Sequence, residues 1–528
     1  MAAASASSLA APSGTPVAWQ PDRGDGTYRN PVLHADYSDP DAIRVGDDYW
    51  MVASSFCHVP GLPVLHSKDL VNWELVTHAL PRLVPEGVFS VPQHGKGVWA
   101  PALRHHAGRF WIYYPDPDFG LYVLTARDPR GPWSAPILVK GGKGLIDPCP
   151  LWDDDGKVYL IHAWAKSRSG ICNRLTLLEL SADGTRVERD HGVLIDGDRV
   201  DYPGFKTLEG PKFYKRDGWY YVFAPAGGVE EGWQSIFRSR RIEGPYEHHV
   251  ALAQGATPVN GPHQGGLVDT PAGESWFVHF QDKGAYGRIV HLQPVAWRDG
   301  WPVMGDDPDG DGTGQPVARH RKPVAGQPVR VPATSDGFDA PALGRQWQWQ
   351  ANPSPAWASL SARPGWLRLF AQPLPAPGNL FEAPALLLQK FPAEAFVATV
   401  KLEAATAAAT DLRAGLIVFG FDYAWIGVRR AGTSTALVMA TCRDAPAGTP
   451  ENQSVLSELP PSAVWLRVSV APGAECTFAW SADGCGFHPV PAPVFRATKS
   501  RWVGAKFGLF ASGAGAADFD ALSVTEPS

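Results

Sequence analysis

Three acidic residues stand in short, similar settings along the chain: Asp39 in SDPDAI, Asp147 in LIDPCPLW and Glu209 in LEGPKFY. Each is followed by proline, at once or after one glycine. Taken singly, an Asp-Pro or Glu-Gly pair is a turn more often than a catalyst. Brought together, three carboxylates are costly, because neighbouring like charges raise one another's pKa. That condition lets one carboxyl stay protonated and donate while an ionised one activates water, which is what cleavage of a glycosidic bond needs on the two faces of a sugar. A third carboxylate can hold the acid in place and keep its pKa high. Glu209 has the longer reach, suited to a leaving oxygen, and Asp39, expected on the first inner strand across a central channel, could hold the water.

A repeat supplies the elements that would bring these acids together. Five strand signals recur: DDYWMV, GRFWIY, GKVYLI, GWYYVF and GESWFV. Their aromatics Trp50, Trp111, Tyr159, Tyr221 and Trp276 are spaced by roughly 50 to 60 residues, the period of propeller blades or repeat arrays. Strand-turn-strand pieces such as HSKDLVNWELV follow several of them, giving about four strands per unit and predicting a five-bladed β-propeller. About a dozen residues upstream of each aromatic, where the innermost strand of a blade begins, stand Asp39, Trp99, Asp147, Glu209 and His263. In a rotationally repeated fold these positions converge on one axis. The matched offset raises each acid well above its single-site standing.

Beyond about Asp336 the pattern changes to alternating runs such as FVATVKLEA, AGLIVFGF and WLRVSVAP, which predict an antiparallel β-sandwich. The division expected is a flexible lead over 1–24, a propeller over 25–304, a linker over 305–335 lying on the surface, and a sandwich over 336–528. Within the linker, DPDGDG resembles the start of a calcium loop but lacks its closing Glu, so it reads as a solvated turn.

Composition narrows the partners. The 528 residues are 44% hydrophobic and 19% charged, with 55 Gly and 50 Pro, so a globular, turn-rich, multidomain chain with few long helices is expected. The formal charge of -6 comes without a basic block, which argues against nucleic acid and anionic membranes. The 21 Trp suit packing on neutral sugar rings, although most are expected in cores. Six cysteines without a CxxC pair make no disulfide scaffold. No apolar run is long enough to span a bilayer. The start, MAAASASSLAAPSG, lacks a basic region followed by a strong apolar stretch.

With these motifs in order, the region from about Tyr28 to about Val303 resembles glycoside hydrolase family 43. The features that carry the likeness are YRNPVLHADYSDPDAIRVGDDYWMVASSF, GVWAPAL, LIDPCPLWDDDGKVYLIHAW, TLEGPKFYKRDGWYYVFAPAGG, NGPHQGG and GRIVHLQPVAWRDGWPV. The likeness is to two-domain β-xylosidase and α-L-arabinofuranosidase members, and the C-terminal region is similar to their concanavalin-like domain. The resemblance implies a five-bladed propeller and inversion at the anomeric carbon. It implies Asp39 as general base, Asp147 as pKa modulator and Glu209 as general acid, with Phe56, Trp99 and Arg288 contacting substrate. It places His263 at the central His that in many members faces a calcium ion or a water cluster, so any calcium there would be structural and the reaction needs no cofactor. It also implies that the sandwich can send a loop aromatic into the pocket mouth.

The expected activity is therefore release of xylose from non-reducing ends of xylo-oligosaccharides or xylan. The alternative is arabinofuranosidase action on arabinoxylan, or both. From another class, a non-catalytic sugar-binding propeller would have no reason to hold all three acids. Cys57 and His58 stand where members vary with substrate preference. A periplasmic or secreted location suits polymer breakdown, and a cytoplasmic one suits imported oligosaccharides; oligomeric state is not legible.

Overall fold

The computed structural model describes residues 17–376, 378–404, 411–432, 434–458 and 463–527. Five four-stranded antiparallel sheets follow one another, each a simple meander in chain order. Their first strands are Asp41–Val45, Ala102–His106, Leu145–Trp152, Lys212–Arg216 and His263–Asp269. The first strands of sheets one to four touch in succession and the fifth touches the first, while the fifth meets the second and third strands of the fourth sheet, and its Leu267 N–H donates to the Tyr214 hydroxyl (3.0 Å), which closes a five-bladed propeller around them. All five repeat aromatics fall in second strands. Tight hairpins set the register: Ala107-Gly108, Asp217-Gly218 and Asp299-Gly300 have φ positive at both residues, the backbone that matches strand twist. The described helices are all short, and none is long and apolar enough to cross a membrane.

Among the described residues no strand is exchanged between first and last blades, and the segment ahead of blade 1 provides the closure. Leu33 pairs with Val290 of blade 5. The Tyr28 hydroxyl donates to the Leu292 carbonyl (2.9 Å), and the Asn30 amide donates to Leu292 and Val317 carbonyls (2.8 and 2.9 Å). Strand Thr27–Arg29 pairs with Arg319–Arg321.

Two expectations need correction here. The stretch 305–335 does not merely lie on the surface, because it contributes strand Arg319–Arg321 and buries Lys322. Of the lead over 1–24, residues 1–16 lie outside the described residues, and the remainder is tied down: the Trp19 indole donates to Pro31 and Asp22 is buried. The Lys322 ammonium lies 2.5 Å from the Asp22 carboxylate and 2.8 Å from that of Asp69, in a site where all three side chains are 5% exposed or less. Removing the cation leaves two buried carboxylates facing each other. Lys322→Ala should lose about 3–5 kcal/mol of stability, read as a lower urea midpoint; a midpoint unchanged from wild type would refute this account.

In the DPDGDG turn the three acids do gather, with carboxylate oxygens of Asp307, Asp309 and Asp311 within 4.8 Å of one another. Asp307 is already satisfied by the Arg298 guanidinium and the N–H groups of Gly310 and Gly312.

The C-terminal region is a sandwich of a seven-stranded and an eight-stranded antiparallel sheet. Inward residues such as Val400, Leu416, Leu466 and Phe507 fill the space between them, and the propeller's Tyr286 and Ile289 join the same cluster. Backbone bonds stitch the two domains: Val59 and Trp349 exchange N–H and carbonyl (2.9 and 2.6 Å), and the Ala505 N–H donates to Ala285 (2.7 Å).

Candidate active site

The predicted acids meet where the first strands begin. Asp39 has φ 53° and Asp147 φ 55°, both left-handed and both directly before proline. Such a backbone costs a non-glycine residue of order 1 kcal/mol, and strain of this kind clusters at functional sites. In blade 4 the left-handed residue before proline is Gly210 (φ 57°), and in blade 5 the left-handed residue is Gln264 (φ 55°), ahead of Gly265. Glu209 and His263 therefore stand one residue ahead of the Asp39 and Asp147 positions. Measured from the left-handed residue rather than from the repeat aromatic, these two blades are displaced by one, with consequences for both side chains.

Asp39 is 4% exposed and held by three donors. Ser38 and Ser54 hydroxyls donate to Oδ2 (2.7 and 2.6 Å), and Arg288 Nη1 donates to Oδ1 (2.8 Å). The same Arg288 nitrogen donates to Ser38 Oγ (2.9 Å), closing a ring of bonds. With two hydroxyls on Oδ2, its lone pairs are filled; Oδ1 keeps one free, the place from which a water proton can be accepted.

Asp147 and Glu209 face the same pocket. Asp147 Oδ2 accepts from the Gly210 N–H (2.8 Å), so the modulator is tied to the main chain that carries Glu209. Burial, then the Asp147 charge, push the Glu209 carboxyl up to about 8, with Asp39 adding and Arg288 opposing. Burial and the Asp39 charge likewise raise Asp147, against the Gly210 hydrogen bond. Glu209 is only partly buried by its neighbours, its open side being the pocket itself.

The pocket, about 280 Å³ and open to solvent, is lined by six of the seven predicted residues: Asp39, Phe56, Trp99, Asp147, Glu209 and Arg288. Trp99 meets Phe56 edge-on (ring centroids 6.2 Å), and its indole donates to Gly95. Among the lining residues not selected from sequence are Gln264 and Trp502. Gln264 takes the blade 5 position that the one-residue shift denies to His263, and aligning the repeats on the residue before Pro or Gly would have found it. Trp502, on the sandwich loop before strand Lys506–Gly513, enters the mouth, with its ring 6.0 Å from that of Trp99 and the Arg288 guanidinium 5.9 Å away. It is the loop aromatic whose identity the sequence did not disclose.

His263 lies outside the lining. Its Nδ1 is 2.5 Å from the Gly261 carbonyl and so carries the hydrogen, leaving Nε2 as a buried acceptor without a partner. That atom suits a water proton or one ligand position of a hydrated cation. Among the described residues no two further His, Cys, Asp or Glu ligand atoms gather with it, so water would supply most of a calcium shell.

Comparisons with known proteins agree with this architecture. The family model "Glycosyl hydrolases family 43" matches residues 28–302, and "Beta xylosidase C-terminal Concanavalin A-like domain" matches 335–525. A putative beta-xylosidase of Xylanibacter ruminicola is 45% identical over 352 residues, covering 67% of this chain and 64% of the relative, so the chain spans just under two thirds of that protein's length. A non-reducing end alpha-L-arabinofuranosidase of Bacteroides ovatus is 32% identical, with 79% of each chain covered. Among solved structures, a xylan beta-1,4-xylosidase from Bacillus halodurans superposes with TM-score 0.80 at 26% identity, covering 94% of this chain and all of that one.

Proposed function

Since the chain belongs to glycosyl hydrolase family 43, we propose that it is an inverting, exo-acting glycoside hydrolase that releases xylose from non-reducing ends of xylo-oligosaccharides or xylan. The observation that carries this reading is the pairing of environments in one pocket: Asp39 accepts in every contact, while Glu209 is pushed up to about 8 beside Asp147. Such a split assigns the base and the acid. Water held at Asp39 Oδ1 loses its proton to that oxygen as it attacks the anomeric carbon. Glu209 gives its proton to the leaving glycosidic oxygen, and the hydrolysed sugar inverts. Phe56, Trp99 and Trp502 offer apolar faces to the ring, and Arg288 is within the pocket to meet hydroxyls while holding Asp39. No step requires a metal. An exo mode follows from the sandwich loop, since Trp502 stands at the pocket mouth.

A second reading, α-L-arabinofuranosidase activity, is supported by the Bacteroides ovatus relative, whose match covers more of both chains. Release of p-nitrophenol from β-D-xyloside and α-L-arabinofuranoside decides between them, and proton NMR of freshly released xylose tests inversion. α-Xylose as first product supports the mechanism, β-xylose refutes it, and silence on both substrates refutes the hydrolase.

The pH profile follows from the Glu209 environment. The acid must be protonated to assist a sugar leaving group, so kcat/KM on xylobiose should hold to about pH 8 and fall above it, where Glu209 ionises. Removing the Asp147 charge removes a cause of that elevation. Asp147→Asn should therefore move the alkaline limb to lower pH, and an unmoved limb would count against Asp147 as modulator.

A further inference from the structure

One buried carboxylate outside the pocket joins the two domains at the point where they meet the site. Asp36 is 3% exposed. Its Oδ1 accepts from the backbone N–H of Arg288 (2.9 Å), and its Oδ2 accepts from the backbone N–H of Gly504 (2.9 Å). The first amide belongs to the residue that grips Asp39, and the second lies two residues beyond Trp502. Fit around the carboxylate is tight. A Cβ on Gly287, whose φ is 73°, would come 2.5 Å from Asp36 Cγ, and one on Gly504 would come 2.5 Å from the Gly287 nitrogen. The Ala505–Ala285 bond lies alongside.

We propose that Asp36 is a positioning residue whose carboxylate clamps the main chains carrying Arg288 and Trp502, so that docking of the sandwich loop and alignment of Arg288 on Asp39 are one event. This rests on the hydrolase reading above. A bidentate acceptor is required because both partners are N–H donors. An amide in its place would turn an NH2 group toward one of them, leaving a buried donor unsatisfied. Misplacement of a positioning group by about 1 Å can cost up to 10²-fold in rate.

The test is a kinetic cycle on p-nitrophenyl β-D-xyloside with Asp36→Asn, Trp502→Ala and the double variant, with melting temperatures recorded for each. Trp502→Ala is expected to raise KM with little change in kcat. Asp36→Asn should raise KM by a similar factor and also lower kcat by about tenfold or more, through Arg288. In the double variant, KM should match that of Asp36→Asn alone. KM effects that multiply, or an Asp36→Asn enzyme with wild-type kcat and KM, overturn the clamp while leaving the hydrolase intact. A wild type without turnover overturns the hydrolase reading and the clamp with it. If Asp36→Asn does not fold, Gly504→Ala displaces the loop with Asp36 untouched and should reproduce the combined change; wild-type constants there also overturn the proposal.

Discussion

Glu209→Ala is expected to lower kcat/KM on xylobiose by about 10²–10⁴-fold, the range for loss of a positioned general acid. On p-nitrophenyl β-D-xyloside the loss should be markedly smaller, because nitrophenolate departs without a proton whereas a sugar alkoxide does not. Asp39 and its three donors are untouched by this change, so water activation remains. Equal losses on both substrates would mean that Glu209 does not protonate the leaving group. Stability supplies a second reading of the same carboxyl. Its folded pKa lies above the ordinary value, so between about pH 4.5 and 8 the folded state holds a proton that the unfolded chain releases. Its stabilising share is therefore complete at low pH and is lost as pH rises through the folded value. Glu209→Gln, which cannot ionise, should be inactive on xylobiose yet melt higher than wild type above pH 8, with the gap closing toward pH 5.

The propeller was legible because its repeat is written in residues with local physical roles: a turn, an aromatic on the second strand, and an acid or its counterpart at the head of the first. Each unit is nearly self-contained in sequence, so period translates into architecture. The three acids were legible for the same reason, since Asp39, Asp147 and Glu209 stand 11, 12 and 12 residues ahead of their aromatics. The site blurred by one residue where the left-handed position passed to Gly210 and Gln264, since φ is not written in the letters. His263 was expected near the centre and does sit at the head of its strand, but the shift gives the pocket to Gln264.

What remained hidden depends on contacts between distant parts of the chain. Trp502 reaches the pocket only because Gly504, Ala505 and Asp36 seat its loop on blade 5, and no local pattern around SRWVGA marks that loop out. The buried Lys322, with Asp22 and Asp69, draws its three charges from sites some 50 to 300 residues apart in sequence. Within its own neighbourhood, the stretch 305–335 reads as a polar linker. Its structural role appears only when Thr27–Arg29 lies beside it.

Asp39→Asn should abolish hydrolysis to a similar depth, about 10²–10⁴-fold, but with the opposite pattern to Glu209. Water activation is needed whatever the leaving group, so xylobiose and the aryl xyloside should lose activity alike. The amide keeps an oxygen for Arg288, and the Ser38 and Ser54 hydroxyls can turn to accept from its NH2 group, so the fold should persist. Asp39→Ala is harsher. It leaves Arg288, 7% exposed, without the carboxylate its guanidinium faces, and breaking a buried pair in this way costs about 3–5 kcal/mol. It also opens space on the water side of the pocket. Azide supplied there should attack the anomeric carbon as the bond to the aglycone oxygen breaks, with Glu209 still able to give its proton to that oxygen. The product from an aryl β-xyloside would be the α-xylosyl azide. That product places Asp39 on the face opposite the leaving group; a β-azide would mean net retention and overturn the inverting mechanism, and azide rescue confined to Glu209→Ala would exchange the roles assigned to the two residues.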